Sequence, residues 1–121
     1  MVTKRTGDES RNATDPTLAD ELRAWDEDRI ARRDRRESEI FETYNTMMAK
    51  ISDPANRDEV VAWCMERIDV PAAKPQPYGR AKLADLKQWY IDDDERRMKE
   101  LDARLRVRGA RFLAAREGGL H

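Results

Sequence analysis

Residues 80–116 read RAKLADLKQWYIDDDERRMKELDARLRVRGARFLAAR, and the fold is decided there. Turned at about 100° per residue, Leu83, Leu86, Tyr90, Leu101, Leu105 and Phe112 fall on one stripe, with Ile91 and Met98 at its edge. No proline interrupts the stretch, and Gly118-Gly119 follows it as a stop signal. The pattern predicts a helix over about residues 80–116. Its waist is polar, running Asp92-Asp93-Asp94-Glu95-Arg96-Arg97, and Asp94 sits on the apolar seam itself.

Upstream, residues 69–79 carry three prolines, Pro71, Pro75 and Pro77, which fix φ and remove donors. A stiff, extended strap is expected. Before it, residues 54–68 read as a shorter helix, with Val61, Met65 and Ile68 on one edge and Val60 and Cys64 on the adjoining one. Trp63 points elsewhere, placed to close the side of a small core. Ser52-Asp53-Pro54 separates this helix from a long one over about residues 17–51, because the residue before proline disfavours the α region. Asp15-Pro16-Thr17 supplies the start of that long helix. Its stripe holds Leu18, Leu22, Trp25, Ile40, Tyr44, Met47 and Ile51, interrupted at the waist by Arg29, Arg33 and Arg36. Both long helices thus have apolar ends and a charged waist. Antiparallel packing would set Arg33 or Arg36 against Asp94, a pairing better suited to fixing register than to adding stability.

The expected fold is all-α: two long helices and a shorter one in an elongated helical bundle or hairpin with coiled-coil-like seams. Residues 1–15 are expected to be a disordered arm, 16–117 a single helical domain, and 118–121 a flexible tail. No strand-like alternation or internal repeat is present.

Composition narrows the function. The chain has 121 residues, of which 40% are charged and 39% hydrophobic. Average domains carry about 25% charged residues, so a thick core is not expected. With 24 basic and 25 acidic residues the net charge is -1, which provides no overall field to draw in nucleic acid or an anionic membrane. The lone Cys64 excludes an internal disulfide and fits a reducing compartment. Met1–Pro16 has no apolar core, so no signal peptide is expected, and no segment approaches a membrane span. A cytoplasmic protein is the expectation.

The chemistry of common enzymes is not legible. The single histidine, His121, ends the chain, and no serine sits in a nucleophile elbow. Cys64 lies in an amphipathic helix, where it reads as a small buried hydrophobe. One Cys and one His cannot make a zinc site. The run from Asp92 to Glu95 has no loop to converge its carboxylates on a cation, and no glycine-rich phosphate loop exists. No enzyme activity, cofactor, metal or small-molecule substrate is therefore expected.

Two surfaces remain. Arg104, Arg106, Arg108, Arg111 and Arg116 follow one another with no acid between Arg104 and Arg116, and Arg97, Arg104, Arg108 and Arg111 share a face. They suit phosphates or an acidic protein, or simply complement the helix C-terminus. With the aromatic positions Trp25, Phe41, Trp89 and Phe112 they form the expected partner-binding set. Trp89 lies well off the apolar stripe, which suggests a face covered by another protein or by a second copy. The alternative is DNA binding. Residues 57–91 lay out helix, connection, helix, and Arg80, Lys82, Lys87 and Gln88 would face outward from the second helix as a recognition helix requires. This layout beside long helices loosely resembles that of viral small terminase subunits, though the connection is longer than the usual turn. A helical interaction or assembly module is the preferred reading, such as an accessory, inhibitory or scaffold subunit.

Overall fold

Asp53 fixes the first corner of the chain. It is extended (φ -107°, ψ 114°), as a residue before proline must be, and its carboxylate accepts the Ala55 N–H at 3.0 Å. Helix α1 (Thr14–Ala49) therefore ends before it, through a 3₁₀ turn at Lys50–Ser52. A second 3₁₀ turn, Pro54–Asn56, leads into α2 (Arg57–Met65). Asn56 Nδ2 donates to the Lys50 carbonyl at 3.2 Å and locks the corner. An irregular stretch follows, and α3 (Leu83–Ala114) runs into a single π turn at Ala115–Gly119. The computed structural model describes residues 14–119, with side chains for residues 17–117. Among these there are two long helices, a shorter one and no strand, the expected all-α class. Most of the expected arm, and His121, lie outside the described residues; Thr14 and Asp15 already belong to α1.

The chain divides into two units, with the boundary between Asp34 and Arg35 inside α1. Up to Asp34 the helix carries a ladder of local ion pairs: Arg23 with Asp20 at 2.8 Å, Arg29 with Asp26 at 2.7 Å, and Arg32 with Asp28. Such pairs support an exposed helix by about 0.2–0.5 kcal/mol each.

From Arg35 onward the core is small. Met47 of α1, Val60 and Cys64 of α2 and Leu113 of α3 are buried together, with Met48, Ile51, Val61, Trp63 and Ala110 packed around them. Val60 is wholly enclosed. The buried positions of α3 are Met98, Leu105, Gly109 and Leu113. Gly109 sits where the helices come close: a Cβ there would lie 2.8 Å from Met48 Cε and 3.1 Å from Cys64 Sγ. A helix-interior glycine costs about 1 kcal/mol relative to alanine, and close packing offsets that cost. Phe112, placed on the seam by periodicity, is instead about half exposed, and its neighbour Leu113 is buried.

Two helix ends differ from expectation for identifiable reasons. Helix α2 stops at Met65 rather than near residue 68, with Glu66 extended (ψ 130°). At this end the Trp63 carbonyl accepts both the Glu66 N–H at 3.4 Å and Arg106 Nη1 at 2.9 Å, while Glu66 takes the same guanidinium at 3.1 Å. Helix α3 starts at Leu83 rather than Arg80. Gly79 holds a positive φ of 75°, which favours glycine, and Lys82 is extended at ψ 150°.

The strap between α2 and α3 lies against α3. Trp89 Nε1 donates to the Lys74 carbonyl at 3.0 Å, and Gln76 Nε2 donates to the Tyr90 hydroxyl at 3.0 Å. Trp89 and Tyr90 meet edge to face with centroids 5.1 Å apart. Trp89, which periodicity left without a neighbour, thus has one in its own chain.

Candidate functional site

A concave surface combines α1 and α3. Phe41 lines it from α1, and Leu101, Leu105 and Val107 line it from α3 together with Arg104, Arg108 and Arg111. The groove has a volume of about 670 Å³. Phe41 is 42% exposed and Val107 50% exposed, high values for large apolar residues in so small a core. The arginines stand four and three residues apart, so they make one row along the helix, about 10 Å from first to last at ~1.5 Å rise per residue.

Pairing separates these arginines from many of the others. Arg96 and Arg97 both bond Asp93, at 2.9 and 2.8 Å. Arg57 bonds Glu117 at 2.8 Å, and Arg67 bonds Asp69 at 2.8 Å. Arg106 bonds Asp102 at 2.9 Å besides Glu66, and its guanidinium lies 4.5 Å from the Trp63 ring centroid. Among the described residues, Arg104, Arg108 and Arg111 have no carboxylate partner. The basic segment read from sequence therefore splits. Arg106 is an internal staple, Arg97 is committed to Asp93, and Arg116 lies beside Arg57 and Glu117 at the other end of the core. The remaining three define the groove.

Of the expected partner-binding set, the groove gathers Phe41, Arg104, Arg108 and Arg111. Phe112 is exposed on the same helix but is not part of the lining. Trp25 belongs to the first unit, half-buried, with the Arg29 guanidinium 5.8 Å from its ring centroid. Trp89 lines a different recess of about 190 Å³, with Pro71, Ala72 and Lys74 of the strap and Asp92 and Glu95 of its own helix. The alternative DNA-binding set divides between the end of the strap and the first turns of α3. Arg80 and Lys82 precede α3 instead of projecting from it, and Gln88 donates to Asp92 at 2.9 Å. Lys87 is half-buried on α3. Sequence reading missed Leu101 and Val107 as groove residues. Val107 carries a usable signal, being an apolar residue between Arg106 and Arg108 and off the seam.

Ionisation follows the packing. Burial works to raise the Asp93 carboxyl, but hydrogen bonds from Arg96 and Arg97 outweigh it and hold the group below its ordinary value. Burial also works to lower Arg106, and is overcome by Asp102 and Glu66, so its charge is secured. Burial pushes the Cys64 thiol up, with Arg106 partly opposing, which makes it a poor nucleophile. Among the described residues no three His, Cys, Asp or Glu side chains cluster as a metal site would require, and no helix is long and apolar enough to cross a membrane. Comparison with protein-family models, with curated proteins and with solved structures finds no match to this chain.

Proposed function

We propose that this chain is a non-enzymatic protein–protein interaction module that docks a segment of another protein in the groove between Phe41 and the arginine row. One observation carries this reading: exposed apolar side chains and three carboxylate-free arginines occupy the same concave surface. Interface hot spots favour aromatics and arginine, and their energy concentrates where apolar contact and desolvated charge coincide. A catalytic reading finds less support, because Cys64, the one strong nucleophile among the described residues, is buried and held protonated. A phosphate-binding reading would use the arginines and leave Phe41, Leu101 and Val107 without a role.

The test is affinity capture with the intact chain and with a Phe41→Ala/Val107→Ser variant checked for native helicity. Proteins retained by the parent chain should be lost by the variant while both remain folded. Retention of the same proteins by both chains would refute the groove as the docking surface.

A further inference from the structure

We infer that the occupant of the groove is an amphipathic helix from a different protein, acidic along one edge, with carboxylates four and three residues apart. This rests on the groove being a docking surface and names its partner class. The Arg104, Arg108 and Arg111 row has the spacing of one helical edge. A facing helix with acids at i, i+4 and i+7 repeats that spacing and can offer one carboxylate to each guanidinium. Arginine suits the task, since its planar fork binds carboxylates bidentately. The neighbouring apolar residues, Phe41, Leu101 and Val107, would take the helix's apolar face, the helix-in-groove mode of recognition.

Two other occupants fit less well. A second copy joined groove to groove about a two-fold axis would bring six carboxylate-free arginines together, a like-charge juxtaposition that opposes pairing. Nucleic acid would satisfy the guanidinium groups but leave the apolar lining in water, and the chain's net charge of -1 offers no wider attraction.

The experiment uses the full chain and two labelled 18-residue helical peptides of identical composition. Both carry leucine on one face. One has its glutamates along the edge beside the leucines, and the other has them on the opposite face. Fluorescence anisotropy is measured at low and moderate salt, with a DNA duplex as a third probe. The edge-acidic peptide should bind at least tenfold tighter than its isomer, and added salt should weaken it. In an Arg104→Ala/Arg108→Ala/Arg111→Ala variant that preference should vanish while the isomer's affinity stays unchanged. These arginines are exposed, so the fold should survive, and circular dichroism verifies it. Equal affinity for the two peptides, tighter binding of the duplex, or a preference that persists in the variant would overturn the inference. If neither peptide binds, the inference falls. In that case, loss of partner capture by the Phe41→Ala/Val107→Ser variant would show that docking itself stands.

Discussion

Arg106 lies over the ring of Trp63, its guanidinium carbon 4.5 Å from the ring centroid, and donates to that residue's carbonyl at 2.9 Å. With Asp102 and Glu66 on the same guanidinium, one side chain ties α3 to the end of α2. Its side chain is only 12% exposed, so the contacts are largely shielded from water. Arg106→Ala should lower unfolding free energy by about 2–3 kcal/mol, combining a cation–π contact with hydrogen bonds to a charged group. Arg106→Lys should recover only part, because an ammonium cannot fork between these acceptors. Denaturant midpoints with an unchanged m-value would check both.

The waist pair behaves differently. Arg36 meets Glu95 at 3.2 Å, with the two side chains 47% and 43% exposed. Exposed pairs are worth about 0–1 kcal/mol. A double-mutant cycle with Arg36→Glu and Glu95→Arg should therefore give a coupling below about 1 kcal/mol, shrinking further in salt. A coupling of several kcal/mol would mean the pair is shielded in solution.

Gly109 should tolerate a methyl group and little more. In Gly109→Ala the new Cβ meets the mobile end of Met48 and crowds Cys64 Sγ at 3.1 Å. The strain is offset by a helix-propensity gain of about 1 kcal/mol, so stability should change by no more than about 1 kcal/mol. Gly109→Leu has no such offset and should destabilise by several times as much, as overpacked cores do. Thermal melts of the two variants would separate these outcomes.

Asp93 makes stability depend on acid. Its folded-state value lies below the ordinary one, through its bonds to Arg96 and Arg97. As pH falls, the unfolded chain takes up the proton first. The contribution is therefore fully present above the ordinary carboxylate range and is lost as pH drops through the folded value. Asp93→Asn should flatten the dependence of the denaturation midpoint on pH below about 4. An unaltered acid limb would rule Asp93 out as a source of it.

How far the sequence foretold this molecule depends on the range of each interaction. The class, the helix pair and the Asp53-Pro54 corner rest on local rules and were legible. So was the face of Cys64, because Val60 lies four residues away and both are buried. The burial of Leu113 instead of Phe112 was not. One residue turns the helix by about 100°, and a helix packed on two neighbours buries a broader face than a single stripe predicts. The cover over Trp89 could not be read either, since it depends on which way the proline strap lies. The candidate site is half legible: Phe41 and the three arginines carry a sequence signal, but which faces of α1 and α3 meet, and so whether Leu101 and Val107 join them, depends on packing that linear spacing does not set.

The Arg106 contact also bears on the order of folding. A guanidinium some forty residues away closes on the last turn of α2, so a non-local contact joins the local bond from the Glu66 N–H at that helix end. Severed from the rest of the chain, the segment from Pro54 to Ile68 would keep the local bond and lose the guanidinium. The last turn of α2 is thus held in part by a non-local closure, the slow kind of step in chain assembly.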